Sequence, residues 1–175
     1  MGEAMRISLH DVLHAPQQKL TVDTAVDLTH LCGEVPQLQH LEPVQVAVEL
    51  WRAGDVYQLQ GEGCTDVQLR CSRCLTTFRQ KVQFPIQETL VERELTEEEQ
   101  EADVIRIVDR QVDLLPLVES ALILALPYAP VCRDECRGLC PKCGTDRNER
   151  PCSCDTSTID LRWSKLQDLL NNMNH

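Results

Sequence analysis

The clearest pattern lies in the middle of the chain. Over residues 44–51, Val44, Val46, Val48 and Leu50 alternate with Gln45, Ala47, Glu49 and Trp51. A period of two places the sets on opposite faces, so this stretch predicts a half-buried strand. Arg52-Ala53-Gly54-Asp55 reads as a hairpin turn, with a return strand over residues 56–60. Gly61 and Gly63 are expected to break that strand. Val67, Leu69 and Cys71 open a third strand. A fourth covers residues 75–91, with Phe78, Val82, Phe84 and Ile86 on one face; Pro85 within it predicts an edge or a bulge. Residues 104–108 read as one more strand. Upstream, Leu20, Val22 and Thr24 alternate as a strand does, while residues 31–43, with Gly33, Pro36 and Pro43, read as loop.

The period then changes. Asp113 is a candidate helix cap, and Leu114, Leu117, Val118, Ala121, Leu122 and Ala125 follow at helical spacing. Leu115, Ile123, Leu124 and Leu126 occupy the other side, and Pro127 and Pro130 stop the helix. A helix apolar nearly all round is expected to be buried or to dock on a second surface. Beyond Cys154, Thr156 to Asp160 supply caps for a last helix striped by Trp163, Leu166, Leu169, Leu170 and Met173. The predicted class is therefore α+β. An antiparallel β meander or barrel-like sheet with a buried helix leads into a cysteine-rich zinc-knuckle segment and a short C-terminal helix. This divides the chain into a β-rich core domain over residues 1–126 and a zinc-binding segment with the closing helix over residues 127–175.

Ten cysteines among 175 residues carry the candidate chemistry. Eight form four close pairs: Cys71/Cys74, Cys132/Cys136, Cys140/Cys143 and Cys152/Cys154. Nothing near the N-terminus reads as a secretory signal, which implies a reducing cytoplasm where paired thiols hold metal more often than they form disulfides. Zinc takes four ligands tetrahedrally, and a C-x-x-C turn presents two of them. In Cys140-Pro141-Lys142-Cys143-Gly144, Pro141 presets the turn and Gly144 can take a positive φ as the chain leaves the metal. The expectation is one or two structural zinc ions. Cys140, Cys143, Cys152 and Cys154 form the preferred local site, because short loops close cheaply. Cys71 and Cys74 then join Cys132 and Cys136. Two alternatives stay open: the C-x-x-C knuckles pairing as one zinc ribbon of a nucleic-acid-binding regulator, and a dithiol redox protein using Cys71 and Cys74. Cys32 and Cys64 read as half-buried free thiols.

Net charge is -11 with 3% aromatics. An acidic body argues against binding nucleic acid by bulk electrostatics and favours basic partners. One stretch departs from it: Arg70, Arg73, Arg79 and Lys81 fall between Val67 and Pro85 with no acid among them. They are the candidate RNA contacts. The run from Glu92 to Asp103 is acid-rich, a solvated loop or a docking strip for a basic protein. No phosphate-binding glycine loop, nucleophile elbow or H-E-x-x-H string occurs, and the five histidines lie away from the cysteine pairs. No enzyme is expected, and no apolar run is long enough to span a bilayer.

The order of these parts has a likeness. Leu69-Arg-Cys71-Ser-Arg-Cys74-Leu75-Thr-Thr-Phe78 is followed by an acidic loop and an apolar helix. Cys132-Arg-Asp-Glu-Cys136-Arg-Gly138-Leu-Cys140-Pro-Lys-Cys143-Gly-Thr-Asp-Arg-Asn148 and Cys152-Ser-Cys154 come after it. Over residues 44–170 this resembles the large ribosomal RNA subunit accumulation protein family, YceD, of bacteria and plastids. The resemblance implies a non-enzymatic factor that supports synthesis, processing or accumulation of large-subunit ribosomal RNA. It implies as partners a basic large-subunit ribosomal protein, precursor ribosomal RNA or both, with no membrane and no small-molecule substrate. The assignment of metal ligands rests on cysteine spacing, not on the family.

Overall fold

The computed structural model describes residues 5–97 and 104–155. The expected closing helix after Cys154, and the second half of the acidic run, lie outside the described residues. Strands β1 (Arg6–Ser8), β2 (Lys19–Val26), β3 (Leu38–Leu41), β4 (Val44–Ala53), β5 (Val56–Arg70), β6 (Thr77–Val91), β7 (Ile105–Arg106) and β8 (Gln111–Asp113) are joined by helices α1 (Leu9–His14), α2 (Leu31–Glu34) and α3 (Leu114–Ala125).

The main sheet is an antiparallel meander in the order β2-β4-β5-β6, with β7 added parallel to the end of β6 and β3 paired to the far half of β5. Its hydrogen-bonded path ends at β2 and β7, so the sheet is open rather than closed into a barrel. The alternation over residues 44–51 sets the register. Val44, Val46, Val48 and Leu50 are fully buried, while Gln45 and Ala47 face water. The β4–β5 turn is two residues long, with Ala53 opposite Val56 and Gly54 at φ +67, as a hairpin of this hand requires.

Two expectations are corrected. Gly61 and Gly63 do not break a strand, because β5 runs on to Arg70. A Cβ on Gly61 would strike the backbone of Ala47 and Val48, and one on Gly63 would enter the Phe84 ring opposite it. The glycines let neighbouring groups come close on the core side, which lengthens the strand instead of ending it. Residues 31–43 are not a plain loop. Leu31 is buried in the single-turn α2, and Leu38 and Leu41 are buried in β3. Pairing with Val67 and Leu69 of β5 supplied a signal that local turn residues hid. The strand expected over residues 104–108 shrinks to the two residues of β7. Pro85 lies on β6 where β7 does not reach, hence at an open edge.

One core fills the space between the sheet and the helices. It gathers Leu50, Leu59, Leu69, Phe84 and Ile86 from the sheet with Leu9 and Val12 of α1 and Leu114, Leu117, Val118 and Leu122 of α3. Asp113 caps α3, accepting the Leu115 N–H at 3.1 Å. The sheet covers one side of α3, burying Leu114, Leu117, Val118 and Leu122, while Leu124 on the other side is 86% exposed. The two-stranded ribbon β1–β8 and the bond from Leu114 N–H to Met5 O, 3.0 Å, fasten the N-terminal segment to the start of α3. Ser72 N–H reaches Pro130 O at 2.8 Å, so the chain leaving α3 returns to the β5–β6 turn. That return assembles the site.

Candidate metal centre

Two turns with the same hydrogen bonding present the sulfurs. In the β5–β6 turn, Leu75 N–H donates to Cys71 O at 3.0 Å and Cys71 N–H to Thr76 O at 2.9 Å. In the second turn, Gly144 N–H donates to Cys140 O at 2.9 Å and Cys140 N–H to Thr145 O at 2.8 Å. Threonine stands beside the second sulfur in both, Cys74 Sγ lying 3.4 Å from Thr76 Oγ1 and Cys143 Sγ 3.2 Å from Thr145 Oγ1. The residue after the second cysteine takes a left-handed φ, +70 at Gly144 and +63 at Leu75. Glycine does this freely and leucine at a cost. The repeated geometry explains how C-x-x-C followed by two residues turns two sulfurs to the same side, and how Cys71-Ser-Arg-Cys74 does so despite lacking the glycine.

The chain beyond α3 brings the remaining sulfurs. Cys71, Cys74, Cys132 and Cys136 form one group, and Cys140, Cys143, Cys152 and Cys154 another. Within each, all four sulfurs lie within 4.8 Å of one another. The knuckles do not share a group. All ten cysteines are free thiols. Cys71 Sγ stands 3.8 Å from Cys136 Sγ, and Cys74 Sγ 3.6 Å from Cys132 Sγ. A disulfide needs about 2.05 Å. A tetrahedron with metal–sulfur bonds of about 2.3 Å has edges of about 3.8 Å. The first group therefore has the dimensions of a four-thiolate site for a single ion. Cys71 is followed by a turn and a strand, not by the helix a thioredoxin-type dithiol uses.

The groups differ in setting. In the first, Cys71, Cys74 and Cys136 are buried beside Phe78, Val131 and Leu139 and Cys132 is half-buried; in the second only Cys140 is buried, Cys143 is exposed and Cys152 and Cys154 are half-buried. Burial would raise the Cys71 thiol, but the N–H groups of Cys74, Cys132 and Arg73 outweigh it and bring it down to about 6. Burial, then hydrogen bonds with the sulfurs of Cys74, Cys136 and Cys71, push Cys132 up to about 12. In the second group the side chain and N–H of Thr145 bring Cys143 down to about 6. The Cys143 sulfur and burial push Cys154 up to about 12. Each group thus has thiols poised to ionise beside thiols that their neighbours keep protonated. A bound cation removes that conflict and releases protons.

Sequence reasoning overlooked the links between the groups. Arg73, expected as an RNA contact, spends its guanidinium on the carbonyls of Asp134, 3.3 Å, and Cys136, 3.1 Å. Its own carbonyl receives Leu139 N–H at 2.9 Å. Gly138, at φ +68, packs so close to Arg73 that a Cβ would collide with that carbonyl. Asn148 accepts Arg137 N–H at 2.8 Å and aims its amide at Cys136 Sγ, 3.5 Å. A residue of the second loop thus donates to a sulfur of the first group. Gly138 and Asn148 were visible in the C-x-x-x-C-x-G-L-C-P-x-C-G-x-x-x-N string, but nothing in spacing gave them these roles.

The other three basic candidates share the outward face of the sheet. Arg70 ends β5, and Arg79 and Lys81 stand on β6 opposite Gln68 and Asp66. Among the described residues none of the three belongs to an ion pair; those present include Lys19–Glu49, Arg106–Glu94 and Arg110–Glu92. Two acids of the expected docking strip, Glu92 and Glu94, are therefore already engaged within the chain. No helix of the described residues is long and apolar enough to cross a membrane.

An open antiparallel sheet carrying two sets of four converging thiols defines a β-rich protein whose two cysteine clusters could each hold a metal ion. The family described as large ribosomal RNA subunit accumulation protein YceD matches residues 59–170, and the chain belongs to it. Similar proteins include an uncharacterized protein of Mycobacterium tuberculosis, 38% identical over 102 residues, which are 57% of this chain and 49% of that protein. One of Mycobacterium leprae is 35% identical over 149 residues, 84% of this chain and 68% of its own length. The Arabidopsis thaliana protein named large ribosomal RNA subunit accumulation protein YCED homolog 1, chloroplastic, is 23% identical over 159 residues, 75% of this chain and 50% of that protein. The chain spans about half the length of the first of these relatives. No solved structure matches it.

Proposed function

We propose that the chain is a non-enzymatic assembly factor for the large ribosomal subunit, acting in the cytoplasm on a basic ribosomal protein, precursor ribosomal RNA or both. Two structural zinc ions shape it, one held by Cys71, Cys74, Cys132 and Cys136 and the other by Cys140, Cys143, Cys152 and Cys154. The observation that carries this reading is the meeting of a four-thiolate geometry with membership of the YceD family. Four sulfurs leave no open position for substrate or water, so such an ion builds structure. The first set pins the segment after α3 to the end of the β5–β6 hairpin. Arg73, Gly138 and Asn148 lock the two loops together. The net charge of -11 favours a basic protein partner through complementary fields. The test is depletion of the protein in its own cells, with large-subunit ribosomal RNA measured against small-subunit RNA. Selective loss of large-subunit RNA, rescued by the wild type and not by Cys136→Ser, supports the reading. Unchanged RNA ratios refute it.

A further inference from the structure

We propose that the cleft between Arg70, Leu75 and Tyr128 binds unpaired nucleotides of an RNA single strand, Tyr128 stacking on a base and Arg70 holding a phosphate. The inference deepens the ribosomal reading and rests on it.

Tyr128 is 95% exposed, while Tyr57 and Phe84 are each 2% exposed. Its backbone is nonetheless fixed, since its carbonyl accepts Gln37 Nε2 at 2.9 Å and Pro130 O takes both the N–H and the hydroxyl of Ser72, at 2.8 and 3.0 Å. A rigidly mounted aromatic ring left in water is what a stacking platform requires. Beside it opens a cleft of about 550 Å³ whose walls include Pro36, Arg70, Leu75 and Pro130 and, among the described residues, contain no carboxylate. Arg70 gives one N–H to Pro36 O, 3.3 Å, and keeps the rest of its fork for a ligand.

The sign of the charge selects the ligand. A basic protein placed here would press its cations on Arg70, whereas an anion gains a fork of donors. A phosphate alone would not use the tyrosine; a nucleotide uses both. Arg79 lies diagonally across from Arg70, since Gln68 and Thr77 complete the two cross-strand pairs, so the strip continues along β6. Lys81 extends it but faces Asp66, which weakens that end. The ligand must be single-stranded, because a base stacked in a duplex is not free to cover the ring. The cleft is also built from the first cysteine turn, whose Cys71, Ser72 and Leu75 form part of its wall.

The test is fluorescence anisotropy of labelled eight-nucleotide adenine and uridine RNA with the zinc-loaded full chain at about 100 mM salt. Tyr128→Ala should weaken binding five-fold to a hundred-fold, the range for loss of one stacked base, and Tyr128→Phe should restore it. Arg70→Ala should weaken binding about ten-fold, and Lys19→Ala, remote on β2, should leave it unchanged. The side chain of Tyr128 touches solvent, and zinc content of each variant confirms folding. No binding by the wild type, equal binding by Tyr128→Ala, equal competition by duplex RNA, or displacement by a glutamate-rich peptide as readily as by RNA would each overturn the site. The ribosomal reading is separable. If depletion lowers large-subunit RNA and Tyr128→Ala still restores it while oligonucleotide binding is unaltered, the site alone fails.

Discussion

Replacing Cys152 by serine tests the site assignment directly. Cys152 joins the second, more exposed set, closing a loop of only nine positions from Cys143. The buried set bridges Cys74 to Cys132 across 58 positions. Loop-closure entropy scales as about 1.5RT times the logarithm of loop length, so the buried set fixes about 1.7 kcal/mol more chain entropy than the exposed one. A structural zinc supplies on the order of 10 kcal/mol to folding, as much as a whole domain's net stability. Cys152→Ser should therefore empty one site and fray residues 137–155 while the sheet and the buried site persist. Native mass spectrometry should count two zinc ions on the wild type and one on the variant. Amide exchange should rise in the 140–154 loop and stay slow in β4 and β5. Cys136→Ser should instead free the whole segment after α3 and expose Phe78 and Leu139, which pack on the buried sulfurs. If the wild type carries no zinc, or if Cys152→Ser keeps both ions or loses both while Cys136→Ser behaves the same way, the two-site assignment is wrong.

Other consequences follow from the same geometry. Leu75→Gly should raise stability by about 1 kcal/mol in thermal unfolding, because φ +63 costs leucine and the side chain is 56% exposed. Gly63→Ala should lower it by about 2 kcal/mol, since Phe84 is buried and its ring has no room to move aside. Asn148→Ala should weaken retention of zinc by the buried set about ten-fold in chelator competition, although Asn148 belongs to the other loop. Chelation of the reduced protein should free both sets of thiols and fray residues 137–155 as Cys152→Ser does, read as faster iodoacetamide labelling of Cys143 and Cys154 than in the zinc-loaded protein.

The sequence exposed what is periodic or closely spaced and concealed what is made across long separations. Alternation over residues 44–51 and the cap at Asp113 translated into β4 and α3 because one face of each element meets the core. The four cysteine pairs were legible because a metal demands sulfurs in twos on tight turns. Their partition between two sets was favoured by loop length, and the structure assembles that partition. By contrast, β3 depends on β5, and the contribution of Gly63 depends on Phe84, a residue 21 positions away. Arg73 showed the same limit. Its charge was legible, but its use on two backbone carbonyls follows from a chain that returns some sixty positions later. The exposure of Tyr128 was equally invisible, since a tyrosine between two prolines reads as a helix stop whether its ring is covered or bare.

The acidity that argued against nucleic acid becomes a prediction once the cleft is placed. Charges act over about 30 Å at 0.01 M salt but only about 8 to 10 Å at 0.1 to 0.15 M. In dilute salt an RNA strand at Arg70 feels the whole net charge of -11, most of it repulsive. At 0.1 M it feels mainly the local arginines and the uncharged cleft wall, while stacking on Tyr128 is untouched by salt. Affinity for a short single strand should therefore be no tighter at 10 mM than at 100 mM, then fall gently with a slope of about one to two phosphates. An ordinary basic RNA binder would weaken steeply over the same range. Anisotropy titrations at 10, 50, 100 and 300 mM salt decide it, because a steep fall from the lowest salt upward would require a broad cationic surface, at odds with a net charge of -11.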